Sequence, residues 1–448
     1  MKNYILFLYI IALMALFTGN AAGQNPIIHD QFTADPTARV FDGKVYVYPS
    51  HDIIGSEGRG RKDWFVMEDY HVFSSANLTD WTDHGVIVSQ NKVNWVDSTT
   101  FSMWAPDCIA RNGKYYFYFP ANVKASFGRG FGIGVAVADN PAGPYTPQRE
   151  PINNVHGIDP CSFIDKDGQA YIYYSQNKIF IAKLKDNMLE LASEPQVIGN
   201  LPTQGLIEGP FLFERKGIYY LTYPHVQNKT ERLEYAMADN PMGPFKVTGV
   251  IMDESPTGCW TIHQSVVEFN NQWYLFYHHN DFSPKFDKNR SVRIDSLFFN
   301  PDGTIRKVTP TFRGVGATDA LKKIEIDRYS QISNNGVSIA FLDTLNTFKG
   351  WKTILDKQNA WIQYNTVDFG NKKLKSVNVQ AFSQNGGTLQ IRMDKADGVI
   401  LAEVKIPKGT GWNIVEARLS KYQKGIHNLI VVLKDNDPVE VDWIQFKN

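Results

Sequence analysis

The feature that most constrains this chain is a unit that occurs five times between residues 34 and 279. The copies read ADPTARVFDGKVYVYP from Ala34, WAPDCIARNGKYYFYFP from Trp104, IDPCSFIDKDGQAYIYYS from Ile158, EGPFLFERKGIYYLTYP from Glu208 and HQSVVEFNNQWYLFYHH from His263. Each begins at a turn, turns again at a Gly- or Asn-containing step and runs into an aromatic strand, the pattern of a β-hairpin. Pro36, Pro106, Pro160 and Pro210 mark the first four copies and Gln264 takes that place in the fifth, in steps of 70, 54, 50 and 54 residues. A period near 50 is that of a propeller blade. A second marker follows in each unit: SSANLTDWTDHG from Ser74, ADNPAGPYT from Ala138, KDNMLEL from Lys185, ADNPMGPFK from Ala238 and FNPDGTIRKV from Phe299. Two hairpins give four strands per unit. The chain is therefore expected to be all-β, with a five-bladed β-propeller over residues 26–314.

The composition changes after Gly314. Short alternating runs such as VSIAFLD, TLQIRMD and VEVDWIQF recur about every ten residues, as in a β-sandwich. A jelly-roll-like sandwich domain is expected over 323–448. At the other end, Lys2 precedes an apolar run from Tyr4 to Phe17 and small residues at Ala21, Ala22 and Gly23. Residues 1–23 read as an export signal, implying a periplasmic or extracellular protein. Lys+Arg and Asp+Glu are both 46, so no net charge draws the chain to nucleic acid or to an anionic membrane. Its 10 Trp and 21 Tyr suit neutral sugar ligands, and also suit strands. The three cysteines, Cys108, Cys161 and Cys259, match no zinc spacing and read as small buried residues.

The inner strand of each blade starts at the central channel, so the residues around the repeated Pro should meet on one face of the ring. They are Asp35, Trp104, Asp159, Glu208 and His263. An isolated Asp-Pro is ordinary turn chemistry. Acids recurring at one register of a repeat are different, because the repeat would gather them into one cleft. Grouped carboxylates are the chemistry of glycosidic bond cleavage: one protonates the leaving oxygen and another activates water or attacks carbon. Crowding raises the pKa of at least one and keeps it protonated near neutrality.

At these residues (ADPT, WAPD, GIDP, EGP and HQS) the chain resembles glycoside hydrolase family 43. The resemblance implies an inverting glycosidase with Asp35 as general base, Asp159 orienting substrate and tuning the acid, and Glu208 as general acid. It implies that Trp104 walls the reacting sugar, that His263 lies at the channel floor near a water or calcium ion, and that Arg290 reaches sugar hydroxyls. Taken alone, His263 reads as a core histidine and Arg290 equally as a surface arginine. His51 and Asp52 in PSHD are further candidates for the pocket wall. The C-terminal segment resembles carbohydrate-binding module family 6, through KIEIDRYS, AWIQYNTVDFG, TLQIRMD and EVDWIQF. That implies calcium held by Glu325, Asp327 and Asp442, sugar stacking on Trp351 and Trp412, and a polar contact from Asn436. Either tryptophan reads equally as core, and the domain equally as a brace for the propeller.

No cofactor is implied for the chemistry itself. The expected function is removal of terminal or side-chain sugars from plant hemicellulose, as an α-L-arabinofuranosidase on arabinoxylan or a β-xylosidase. An exo-β-galactosidase or endo-arabinanase of the same family is the alternative within the class, and a non-catalytic carbohydrate-binding protein the alternative outside it. The expected partner is a polysaccharide or oligosaccharide, with the protein a monomer. Substrate choice is expected to lie in the insertion 55–63 and the loops 124–131 and 280–289.

Overall fold

The computed structural model describes residues 24–420 and 422–448. The expected export signal, 1–23, lies outside them. Among the described residues there is no α-helix, only strands and three short 3-10 turns. Residues 32–297 form five successive antiparallel sheets. The first comprises Phe32–Phe41, Lys44–Asp52, Asp69–Ser75 and Thr82–Ser89. The second begins with Asp107–Arg111, the third with Ile158–Ile164 and the fourth with Phe211–Arg215. The fifth holds only Ser265–Phe269, Gln272–His279 and Ser291–Leu297.

The expected hairpins are present and their turn chemistry explains them. Asp42-Gly43, Asn112-Gly113, Lys216-Gly217 and Asn270-Asn271 each place both residues at positive φ, as a two-residue turn between twisted strands requires. The second marker has a structural reason that the sequence did not reveal. In four sheets a buried tyrosine of the second strand donates its hydroxyl to a carbonyl in the next unit's marker. Tyr48 bonds Pro141 O at 2.7 Å, Tyr118 bonds Met188 O at 2.8 Å, Tyr173 bonds Pro241 O at 2.6 Å and Tyr220 bonds Gly303 O at 2.7 Å. Each phenol thus buries its ring and satisfies its polar end on the neighbouring sheet.

The expectation of four strands per unit fails in the fifth sheet. Its marker, from Phe299, forms only a Phe299–Ile305 bridge and packs across the fourth sheet, with Phe299 edge-on to Tyr220. The outer edge of the fifth sheet is instead met by the N-terminal segment. Ile27 N donates to Val292 O, Thr33 N to Arg290 O and Ile294 N to Asn25 Oδ1. Pairing the beginning of the chain with the last sheet joins elements more than 250 residues apart. The inner strands are also stitched in sequence. Thr37 Oγ1 donates to Pro106 O, Ser162 N to Asp107, Leu212 N to Cys161 Sγ, Gln264 Nε2 to Gly209 O and Ser265 Oγ to Pro36 O.

Residues 318–447 form two further sheets. One is ordered Thr318–Asp319, Trp361–Asp368, Ile426–Leu433, Gly387–Met393 and Ile400–Ile406, with Gln331–Ile332 pairing beside Trp361–Asp368. The other is ordered Val337–Phe341, Trp351–Leu355, Val439–Lys447, Ser376–Phe382 and Asn413–Arg418. Their facing sides enclose Ile362, Val379, Ile391, Leu433 and Ile444, all buried. Alternation along Ser376–Phe382 and Val439–Lys447 puts every second residue into this core, which is the sandwich pattern.

Trp351 corrects an expectation here. It starts a strand, and its ring stacks on Phe282 at 4.9 Å and on Phe341 at 5.1 Å, with the Arg328 guanidinium 4.1 Å from its centroid. Phe282 belongs to the 280–289 loop of the first segment. Trp351 therefore joins the two segments, and its faces are taken by protein rather than offered to sugar. Arg328, itself 2% exposed, donates to Asn25 O at 2.6 Å and reinforces the same junction. At the acids expected to hold calcium, that arginine stands alongside. Arg328 lies 3.1 Å from Asp327 and 3.5 Å from Glu325, so a guanidinium already supplies the positive charge these acids face. The three acids lie close enough to act on one another electrostatically, and both Asp327 carboxylate oxygens are buried without a hydrogen-bond partner. Burial and the nearby Glu325 push Asp442 up to about 6. Asn436 Oδ1 accepts from Gln358 N at 3.2 Å. Trp412 lies in a loop, half-buried and tilted against Phe382.

Candidate active site

Two local rules bring the acids together. The first is the backbone at the repeated turn. Asp35 and Asp159, each preceding Pro, sit at φ 46° and 55°, and in the fourth unit Gly209 takes that left-handed position at φ 55°. Non-glycine residues hold it at a cost of about 1–2 kcal/mol, and such strain concentrates at functional sites. Because Gly209 absorbs the turn, Glu208 stands one residue further out than the two aspartates. The second rule is the stitching of inner strands. Gly209 N donates to Asp159 Oδ2 at 3.0 Å, coupling the third and fourth sheets at the acids themselves.

Asp35, Asp159 and Glu208 line one pocket of about 140 Å³ together with Trp104, His263 and Arg290. Six of the eight first-segment candidates are therefore brought together. Arg290 is not the surface residue of the alternative reading: it is 3% exposed. Its Nη1 donates to Asp35 Oδ1 at 2.8 Å, while Nε and Nη2 fork onto Asp52 at 2.9 and 2.8 Å. Asp52 thus stands behind the pocket rather than in its wall. His51 turns away to another cluster. Trp64 and Phe65, immediately after the 55–63 insertion, join Trp104 and Trp260 as apolar walls. Arg290 lies 4.8 Å from the Phe65 ring, and Phe131, of the 124–131 loop, packs on Trp104 at 4.6 Å.

The environments drive the acids apart. Burial pushes Asp35 upward, but Arg290, the neighbouring histidines and a 2.7 Å bond from Ser50 Oγ outweigh it and hold Asp35 at about 2. Of these, Arg290 and Ser50 carry the effect at neutral pH. His278 Nδ1 lies 3.5 Å from Asp35 Oδ1, yet it accepts from Asp35 N at 3.0 Å, and Nε2 donates to Thr261 O. That tautomer is neutral, and burial beside Arg290 pushes His278 down to about 3. Burial raises Glu208 well above the carboxylate range, with the charge of Glu231 adding to it. Asp159 is raised by burial and by Glu208 and Asp35. An ionised Asp35 thus shares a pocket with a protonated Glu208, the division of labour that acid–base hydrolysis needs.

Glu231 was missed by the sequence reading. It opens the strand Glu231–Ala238, is 1% exposed, and lines the pocket beside Glu208. Its Oε2 accepts from Ile262 N at 2.8 Å, and burial pushes it up to about 8. A charged residue at an inward strand position was the available signal, but no repeat marks it. His263 Nδ1 is 3.9 Å from Asp35, with Arg290 nearby, and burial lowers its pKa. Among the described residues, no trio of converging His, Cys, Asp or Glu donors includes His263. All three cysteines are free and buried.

Comparison with known proteins agrees with this arrangement. The sequence profile of Glycosyl hydrolases family 43 matches residues 23–305, and that of Carbohydrate binding module (family 6) matches 332–448. Xylosidase/arabinosidase 43A of Humicola insolens is 37% identical over 62% of this chain and 98% of its own length. The β-xylosidase/α-arabinofuranosidase CoXyl43 from a compost microbial metagenome, solved with xylotriose in a calcium-free form, aligns with TM-score 0.57 and 35% identity. That alignment covers 64% of this chain and 98% of CoXyl43. An arabinoxylan arabinofuranohydrolase of Bacillus subtilis, solved with cellotetraose, aligns over 96% of this chain and 99% of its own, with TM-score 0.55 and 25% identity.

Proposed function

The chain belongs to glycosyl hydrolase family 43, and from that premise we propose that it is an exported, inverting exo-hydrolase releasing terminal pentoses from plant hemicellulose, as an α-L-arabinofuranosidase or β-xylosidase. The observation that carries this reading is the opposed ionisation of Asp35 and Glu208 in one small pocket walled by aromatic rings. Such a pocket suits one sugar ring at a chain end or side branch. The names of the relatives, which couple xylosidase with arabinosidase and arabinoxylan, support the pentose.

In this mechanism Asp35 takes a proton from water as the water oxygen bonds to the anomeric carbon. The glycosidic carbon–oxygen bond breaks, and Glu208 delivers its proton to the leaving oxygen. The configuration inverts. Asp159 accepts from the Gly209 amide beside Glu208, while burial, Glu231 and Asp35 raise the proton affinity of Glu208. The carboxylates suffice, without a cofactor.

The five stitched sheets support a five-bladed propeller over residues 26–314, closed by the N-terminal segment on the fifth sheet. Residues 323–448 are a sandwich domain, with Trp412 as its carbohydrate contact. The apolar run from Tyr4 to Phe17 supports export through residues 1–23, and the balanced charge gives no long-range attraction to nucleic acid or an anionic membrane; a monomer is the oligomeric state proposed. The test is hydrolysis of aryl α-L-arabinofuranoside, β-D-xyloside and β-D-galactoside, with the product anomer followed by NMR. Release of the inverted pentose, lost in Glu208→Gln, is expected. Galactoside as the sole substrate would move the reading within the family. Tight oligosaccharide binding without turnover would replace it with a binding protein.

A further inference from the structure

Away from the pocket, the first sheet gathers a second set of donors. Strand alternation places Asp69 and His71 on one face of Asp69–Ser75. From the neighbouring strand, His51 Nδ1 lies 2.6 Å from Asp69 Oδ1. His51, Asp69 and His71 accordingly bring one donor atom each to within 4.8 Å of one another, the one such trio of His, Cys, Asp or Glu among the described residues. The imidazoles meet edge to face at 5.0 Å.

The surroundings are those of a metal centre. His71 Nδ1 bonds Asp83 at 3.0 Å, which leaves Nε2 as its outward donor. Metal-binding histidines characteristically hand their other ring N–H to a carboxylate in this way. Asp83 is itself held by Gln31 and by Gly85 N. Asp30 adds a further negative charge facing His71. The side chains of His51, Asp69 and His71 are 19%, 15% and 15% exposed, sheltered yet open to an entering ion.

We propose that His51, Asp69 and His71 form a binding site for a divalent transition-metal ion of the zinc class, with Asp83 as the carboxylate that orients His71. Two imidazoles and one carboxylate favour zinc, nickel or copper over calcium and magnesium, which want oxygen alone. Bonds of about 2.0–2.1 Å put tetrahedral donors roughly 3.4 Å apart, so a small inward movement of the three side chains closes the site and leaves one position for water. The ion would clamp the strands Lys44–Asp52 and Asp69–Ser75 one residue from Asp52, which grips Arg290.

The test is calorimetric titration of the full chain with ZnCl₂, alongside Co²⁺ absorption spectra and melting curves in zinc or EDTA. One saturable ion per chain, visible cobalt bands and a zinc-dependent rise in melting temperature are expected. His71→Ala and Asp69→Asn should each weaken binding at least tenfold, and Asp83→Asn should weaken it by about 10- to 100-fold. Melting of these variants in EDTA, compared with the parent, separates lost binding from lost folding. No saturable binding, an affinity unchanged in a folded His71→Ala protein, or displacement of zinc by equimolar calcium would overturn the proposal. His71→Ala should hydrolyse aryl glycoside at the parent rate in EDTA, so the result is independent of the catalytic reading.

Discussion

Asp52 grips Arg290 through three hydrogen bonds, from Nε at 2.9 Å, from Nη2 at 2.8 Å and from the backbone N at 2.8 Å. The remaining guanidinium nitrogen, Nη1, is thereby aimed at Asp35. Asp52 is a positioning residue for the charge that keeps the base ionised. Asp52→Asn should lower kcat by about 10- to 100-fold, the scale of a lost charge-assisted bond. It should also move the acidic limb of the rate profile upward as Asp35 loses its support. Arg290→Lys should not rescue, because an ammonium cannot fork onto Asp52 and reach Asp35 together.

The basic limb belongs to the Glu208–Glu231 pair. Hydrolysis needs the proton on Glu208, so activity should persist until the pair loses it, above the usual carboxylate range. Removing the like charge in Glu231→Gln lets Glu208 ionise more readily, and the basic limb of kcat should shift to lower pH. Glu208→Gln should cost about a hundredfold or more. A pH profile unmoved by Glu231→Gln would separate the two acids.

The same groups make stability pH-dependent, with opposite signs. Asp35 is depressed from 3.8 to about 2, so its contribution is present above about pH 4 and lost as pH falls through 2. Glu231 is raised from 4.5 to about 8, so its folded form prefers the proton, and stability falls as pH rises from about 4.5 to 8. Glu231→Gln should be more stable than the parent at pH 8 by about 1–3 kcal/mol, read from urea unfolding.

Gly209 combines a left-handed φ with close neighbours. A Cβ there would lie 2.8 Å from Pro224 Cδ and 3.2 Å from His263 Cε1. Gly209→Ala should lower stability by about 2 kcal/mol or more and displace both Glu208 and the amide that Asp159 accepts. Activity should fall together with melting temperature.

Trp351 and Trp412 separate bracing from binding. Trp351→Ala should destabilise by about 2–4 kcal/mol through the lost stack on Phe282 and Phe341, and leave xylan affinity unchanged. Trp412→Ala should leave melting nearly unchanged and weaken binding to insoluble xylan. Depletion of each variant from solution by the polysaccharide measures this.

What the sequence determined by itself is what local rules control. Alternation, Asp-Gly and Asn-Gly turns and the spacing of Pro36, Pro106, Pro160 and Pro210 define five hairpin units. Residues at one register of such a repeat must share one face, so Asp35, Asp159 and Glu208 could be grouped before any coordinates. Only the tertiary structure decided the rest, because those roles come from partners far away in the chain. Arg290 becomes part of the site by bonding Asp35 and Asp52, more than 230 residues earlier. Glu231 matters because the fold buries it beside Glu208. Arg328 pairs with Glu325 and Asp327, acids of the last domain expected to hold calcium, and Trp351 turns its faces to protein. The fifth unit lacks its fourth strand because the N-terminal segment occupies that edge. Local sequence carries periodicity and turn geometry; long-range burial and charge pairing exist only once the strands have met.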